Sequence, residues 1–319
     1  MVTIANTLLD GDLTTDELTD QVARKPNETE GTRMKILVTG ATGFVGRNVV
    51  DQLVRAGVSV RALTRNPAAA KLPPQVEVVE GDLTAPDSLA PALAGVEKMY
   101  LFPVEQAARE VVALAERAGI GRVVVLSGAA VTVGLDTNPV EQAVEDSGLE
   151  WTHVRPCGFM TNMLQIWAPT IRAGRVVRYP FADEPMNLIH EADIAEVAVA
   201  ALLEDDHHGK AYTLTGPALV TVREQVAAIA AALGEQVRYE EVSRERAREL
   251  MKAQGGFAAE SADLMLGFVE YSGDTPEGGG YAAQDWSALM RIWPDVEQVT
   301  GHPPRTYAQW ARDHVADFR

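Results

Sequence analysis

The chain has 319 residues, 46% of them hydrophobic and 23% charged, with a formal net charge of −17. That length supports a full globular core, and the acidic balance argues against nucleic acid or an anionic membrane as partner, because both call for a basic face. Its one cysteine, Cys157, excludes an intramolecular disulfide; with no bilayer-length apolar run and no signal-peptide pattern, the cytoplasm is the default compartment.

Residues 1–33 are polar and acidic, broken by Lys25-Pro26-Asn27 and Gly31. They read as a flexible extension in which only residues 15–24 have helical character, and Met34 could serve as a start residue. From Lys35 the pattern alternates. Strands are expected at 35–39, 58–63, 76–79, 98–102, 122–126 and 151–154, with helices at 48–55, 88–93, 105–118 and 140–146. Continuous apolar strands separated by helices predict an α/β fold, a Rossmann-type doubly wound parallel sheet covered on both faces. Its domain would be 34–156. Beyond Pro156 the rhythm breaks. A helix at 194–203 capped by Asp193, a strand at 211–214, a helix at 221–233, a strand at 237–242, and helices at 244–254 and 307–317 suggest a smaller α/β substrate-binding part over 157–319. Some of its segments would return to the sheet. Residues 255–280 are rich in glycine and serine and show no clear period.

The first strand runs into Gly40-Ala41-Thr42-Gly43-Phe44-Val45-Gly46 and then at once into a helix. A glycine motif is weak by itself, but this strand–turn–helix setting gives each glycine a task. Gly40 turns the chain out of the strand, Gly43 lets a pyrophosphate approach the backbone, and Gly46 lets the helix pack close to the sheet. The N–H groups of the helix start then hold phosphate, so Gly40, Thr42, Gly43, Phe44, Val45 and Gly46 form the expected cofactor-binding segment. The second strand ends Ala62-Leu63-Thr64-Arg65. Thr64 stands where an NAD site usually has its acid, and Arg65 can pair with a 2′-phosphate, assisted by Arg47. NADP(H) is therefore the expected cofactor, with NAD(H) left open. Asp82 and Leu83, after the third strand, flank the adenine position; Asp82 could instead cap the next turn.

These residues, together with Val124-Val125-Leu126-Ser127-Gly128, Ser147-Gly148-Leu149, Arg155-Pro156, Phe159-Met160-Thr161-Asn162 and Asp193-Ile194-Ala195, resemble the NmrA-like branch of the atypical short-chain dehydrogenase/reductase superfamily. The likeness spans most of the chain from Lys35. It implies an NAD(P)H-binding protein of a branch that mixes quinone or dye reductases, other reductases and redox-sensing regulators. It also implies that Phe102 and Pro103 lie along the cofactor. Ser127 and Gly128 would sit beside the nicotinamide, and Pro156 and Cys157 near its amide. Phe159, Met160, Met163 and Trp167 would line the substrate side.

Tyrosine-dependent members of that superfamily use Tyr-x-x-x-Lys after the fifth strand, where lysine lowers the tyrosine pKa. No such pair is present: if Glu141 occupies the position of the glutamate that often follows the lysine, Thr137 and Val133 hold the lysine and tyrosine places. Ketone reduction leaves a strongly basic alkoxide and needs a proton donor. Quinone reduction leaves a phenolate, whose conjugate acid has a pKa of about 10, and water can protonate it. The sequence thus favours an NADPH-dependent oxidoreductase acting on a small quinone-like or conjugated aromatic acceptor, with Ser127 as the candidate catalytic residue and a homodimer left open. Two rivals are an NADP(H)-sensing regulator without turnover and a non-redox isomerase or cyclase. His190 reads as a helix-end residue, His153 as structural, and Cys157 as a small buried hydrophobe. His207-His208 reads as a solvated loop without zinc spacing, so no metal is expected. Phe257, Met265, Leu266 and Phe268 read as core or as part of an aromatic pocket.

Overall fold

The computed structural model describes residues 34–269 and 287–319, so the expectations for 1–33 and for 270–280 lie outside the described residues. Met34–Arg319 form one compact unit. Its strands and helices, in chain order, are β1 (Lys35–Val38), α1 (Phe44–Arg55), β2 (Ser59–Thr64), β3 (Glu77–Glu80), α2 (Ala90–Leu93), β4 (Lys98–Leu101), α3 (Ala108–Arg117), β5 (Arg122–Leu126), α4 (Ala129–Thr132), α5 (Pro139–Glu145) and β6 (Glu150–Pro156). Then follow β7 (Gly158–Phe159), α6 (Met160–Gly174), β8 (Val176–Tyr179), β9 (Pro185–Met186), β10 (Leu188–Ile189), α7 (Glu191–Leu203), β11 (Lys210–Leu214), β12 (Val220–Thr221), α8 (Val222–Leu233), β13 (Arg238–Glu241), α9 (Arg244–Gln254), α10 (Gly256–Met265), α11 (Asp295–Thr300) and α12 (Tyr307–Asp313).

Among the described residues the main sheet has seven strands in the order β11-β6-β5-β4-β1-β2-β3, and every pairing is parallel. This is the expected Rossmann-type α/β fold. Alternation along each strand builds its two faces. Ile36, Val38, Val60, Ala62, Val124 and Leu126 pack with α1 and α7; Leu37, Leu63, Met99, Leu101, Val123 and Val125 pack with α3 and α5 on the other side. The last strand, β11, returns after the excursion through 157–209. Its outer edge is met by α11, whose Asp295 Oδ2 accepts from Thr213 N at 2.6 Å. A third apolar cluster, around α6, α8 and α12, forms the C-terminal core. No helix among the described residues is long and apolar enough to cross a membrane.

The start of α7 corrects the sequence reading. His190, not Asp193, is the N-cap, its Nδ1 accepting from Ala192 N at 3.1 Å. Asp193 lies in the first turn, fully buried, where the Arg305 backbone N–H (2.7 Å) and guanidinium both donate to it. That partner is too distant in sequence for any local pattern to reveal. The same turn carries a cluster of charges. His314 Nε2 meets Glu191 at 2.6 Å and its Nδ1 meets Asp317 at 2.9 Å. His190 Nε2 faces Asp313 at 3.3 Å, and His302 Nε2 faces Glu196 at 2.6 Å.

Burial pushes the Glu191 carboxyl up, but hydrogen bonds to His190 and His314 outweigh it and bring its pKa down to about 2. Burial works against His314, yet Glu191 and Asp317 raise it above its usual 6.5. His302 is raised by the Pro303 carbonyl and by Glu196. Groups with raised histidine pKa values stabilise the fold below about 6.5 and lose that contribution as pH climbs through the raised values. Glu191 contributes above its usual 4.5 and loses the contribution only as pH falls toward about 2. Thermal stability should therefore be greatest at about pH 5–6.5 and decline toward pH 8.5. In His314→Gln the plateau should be lower and the decline shallower. Parallel melting curves for the two proteins across that range would contradict this.

Candidate active site

The cofactor loop is built around two close approaches. Thr39 Oγ1 donates to Tyr100 O at 3.0 Å and accepts from Phe102 N at 2.7 Å, tying the ends of β1 and β4. These are the neighbours at which strand order reverses, the place where open α/β sheets bind ligands. Gly40 follows with φ +59°, and a Cβ there would stand 3.0 Å from Phe102 Cβ. A Cβ on Gly46 would come 2.1 Å from Gly40 O, so the helix start lies hard against the turn. Gly43 is the N-cap of α1; its N donates to Gly40 O at 3.0 Å, it brings no capping side chain, and the first turn holds no acid. Phe44 and Phe102, 40% and 44% exposed, flank the loop. A bare helix start in a glycine cradle between two exposed rings fits the diphosphate and the flat rings of a dinucleotide.

Arg65 is exposed beyond the end of β2. Arg47, expected to help it, bonds instead to chain carbonyls: Nε to Thr42 O (2.9 Å), Nη2 to Ala70 O (3.0 Å) and Nη1 to Lys71 O (3.3 Å). It ties the glycine loop to the loop after β2. Asp82 Oδ1 accepts from Thr84 N and Oγ1 at 2.9 and 2.8 Å. These bonds, with Arg65 nearby, hold its pKa below the ordinary value. Asp82 does cap the next turn; only Oδ1 is engaged in doing so. Leu83, with Leu101, Phe102, Val104 and Val140, lines a shallow apolar depression too small to hold a water. Pro103 is half-buried beside it.

At the end of β5, Ser127 N donates to Val154 O at 2.7 Å. Asn138 caps α5 through Val140 N (2.9 Å), and its Nδ2 donates to Ser127 Oγ, also at 2.9 Å. Arg155 holds Glu141 with two bonds of 2.9 and 2.5 Å. Burial pushes the Glu141 carboxyl up, but hydrogen bonds from Arg155 and Ser127 prevail and keep it below its usual value. The Ser127 hydroxyl thus accepts from the Asn138 amide and helps hold the neighbouring Glu141 carboxylate charged. No local sequence signal pairs helix residue Glu141 with strand residue Arg155. Gly128 follows as the N-cap of α4. Neither α4 nor α5 carries a tyrosine. Tyr100 is fully buried and raised far above its usual pKa by that burial, so it supplies no proton here.

Pro156 and Cys157 close β6, both buried, and burial pushes the Cys157 thiol up to about 12. Phe159 is half-buried. Met160, Met163 and Trp167 are each 1% exposed and belong to the C-terminal core. Leu266 joins that core, with Phe257, Met265 and Phe268 packed against it. The structure therefore gathers the glycine loop, Arg65, Asp82, Leu83, Phe102 and Pro103 around one group of strand ends. Ser127, Gly128, Pro156 and Cys157 sit at the ends of the next two strands.

His153 is buried, its Nε2 3.0 Å from Glu145. His207 corrects the solvated-loop reading: it is buried, with Nδ1 2.7 Å from Tyr212 OH and Nε2 3.3 Å from Glu204. His208 alone fits the exposed loop.

The chain is 37% identical over 294 residues to a (4-alkanoyl-5-oxo-2,5-dihydrofuran-3-yl)methyl phosphate reductase from Streptomyces griseus, across 89% of this chain and 99% of that protein. It is 33% identical over 296 residues to an NAD(P)H azoreductase from Xenophilus azovorans, with the same shares of 89% and 99%. Among solved structures, an NADPH-dependent quinone oxidoreductase from Escherichia coli is similar, with TM-score 0.67 and 26% identity over 87% of this chain and 98% of that one. The Citrobacter triphenylmethane reductase complexed with NADP(H) matches in fold, with TM-score 0.69 and 22% identity over 88% and 100%. A model described as the NmrA-like family covers residues 32–279, and with these relatives at hand the chain belongs to the NmrA-like family.

Proposed function

We propose that this protein is an NADPH-dependent oxidoreductase that reduces a small conjugated acceptor without a tyrosine–lysine pair. The observation that carries the reading is the bare helix start in the glycine cradle, with Thr64 in place of an acid at the end of β2 and Arg65 exposed just after it. Gly40, Thr42, Gly43, Phe44, Val45 and Gly46 would hold the diphosphate, and Arg65 the 2′-phosphate. Asp82 and Leu83 would flank the adenine; Phe102, Pro103, Gly128, Pro156 and Cys157 would lie along the rest. Bound there, the cofactor would supply a hydride to the acceptor.

Ser127, held beside Glu141, would offer a lone pair and orient its ligand. Phe159 and the apolar residues behind it would exclude water and position a flat acceptor. The acceptors named for the relatives support this class. Azo compounds, quinones and an oxo-dihydrofuran whose ring double bond is conjugated with its carbonyl all become stabilised anions on reduction, which water protonates.

NADPH consumption should saturate with a panel of quinones and azo dyes and be absent with simple ketones. Cofactor binding without turnover of any acceptor would overturn the reading. Arg65→Asp should raise the NADPH Kd about thirtyfold while the NADH Kd stays within about threefold. An unchanged NADPH-to-NADH ratio in that variant would remove Arg65 from the phosphate site.

A further inference from the structure

Residues 287–293 carry no sheet pairing among the described residues, yet they are held across the carboxyl ends of β6 and β11 by buried side chains. Asn187, 5% exposed and lying between β9 and β10, donates both amide hydrogens to chain carbonyls: Leu289 O at 2.9 Å and Arg291 O at 2.8 Å. Thr215, fully buried just past β11, clips Trp293 at both ends, with Trp293 N 3.1 Å and Trp293 O 3.3 Å from its Oγ1. Cys157 Sγ lies 4.0 Å from Leu289 O. Irregular backbone laid over a core needs partners for its polar groups, and two buried side chains provide four of them here.

Most of the proposed cofactor segments gather at the ends of β1 to β4, with Gly128, Pro156 and Cys157 toward the nicotinamide end, while residues 289–293 lie over the ends of β6 and β11, beyond that end. Leu289 and Met290 are half-buried there, and Ile292 is 40% exposed. Such a surface suits the face of a flat conjugated ring.

We propose that Asn187 and Thr215 are positioning residues that fix residues 289–293 as a wall of the acceptor pocket above Cys157, so that this segment governs acceptor affinity. The proposal rests on the reductase reading for what enters the pocket.

Cys157 is the only cysteine of the chain, so a thiol reagent reports on this one place. Asn187→Leu keeps the volume and removes both hydrogen bonds. In that variant, labelling of Cys157 should be about tenfold faster and the quinone KM about tenfold higher, while kcat and the NADPH Kd stay within about twofold. Thr215→Val should move both in the same direction by less. Duroquinone, whose substituted ring does not add thiols, should slow labelling in the NADP-bound wild type and lose that protection in Asn187→Leu. Unchanged labelling would show that Asn187 does not hold the segment. Faster labelling with an unchanged KM and intact protection would show that the segment is not the wall. An NADPH Kd rising in step with labelling would mean general loosening. Each of these overturns the proposal. If the wild type turns over no acceptor, the reductase reading falls, and the labelling and protection arms still decide the wall.

Discussion

Gly46→Ala should lose about 2–3 kcal/mol of stability and weaken NADPH binding about a hundredfold, because the added methyl has nowhere to go. It would stand 2.1 Å from Gly40 O, 2.8 Å from Gly40 C and 3.0 Å from Ala41 Cα, all main chain. No rotamer relieves a clash with backbone, so α1 must move away from the turn and carry its first amides with it. Gly43→Ala is the informative contrast. Its Cβ would meet Gly40 O at 3.3 Å, a contact that a small shift relieves, and the residue is exposed. Stability should stay within about 1 kcal/mol of wild type while NADPH affinity falls at least about tenfold, since the methyl points into the space a diphosphate needs. Melting temperature and a fluorescence titration of NADPH separate the two variants. Wild-type affinity in both would remove the cradle from the cofactor site.

Arg155→Met should cost about 3–5 kcal/mol, the expected penalty for leaving a buried carboxylate without its partner. Glu141 is 4% exposed and receives two bonds from Arg155, so water cannot replace the guanidinium. The companion Glu141→Gln/Arg155→Met removes charge from both sides and should recover more than half of the loss. A denaturant titration of the two variants measures this. Equal destabilisation in single and double mutants would show that the charge pairing is not what the fold depends on. Ser127 gives a second reading of the same pair. Its hydroxyl lies beside Glu141, so if Ser127 orients the ligand as proposed, kcat in the single mutant should fall even under conditions where the fold is intact.

The sequence carried the sheet well because buried parallel strands announce themselves as short apolar runs between glycine-closed helices. β5 was expected at the residues where it lies, and β1 to β4 within one residue at each end. The cofactor loop was equally legible, since a strand, three spaced glycines and a helix are contiguous. Most of what was missed lies in 157–190, with α4, α10, α11 and β12 also unmarked. The helix α6 buries Met160, Met163, Leu164, Ile166, Trp167 and Ala168, leaves only a narrow stripe of Asn162, Gln165, Thr170 and Arg172, and contains Pro169, which reads as a breaker. β7, β9 and β10 have two residues each, too short for any alternation. At the site, the turn-capping role open to Asp82 was legible from the local chain, and Arg65 stands exposed where the sequence put it, after β2. The pairs Arg155–Glu141, Arg305–Asp193 and Asn187–Leu289 were not, because each joins elements whose proximity only the finished fold creates. Arg47 shows the reverse error: its position next to the glycine loop suggested a phosphate ligand, while the folded chain offers it three carbonyls.

A parallel sheet ends in two rows of main-chain groups that would template pairing with a neighbouring molecule. On the β11 side that row is partly covered: the first residue of α11 takes the Thr213 amide, and the Thr215 side chain just beyond the strand holds Trp293. The C-terminal segment therefore covers part of that edge. A chain cut before residue 287 would keep its glycine loop and leave the Thr213 amide at that edge without the Asp295 carboxylate.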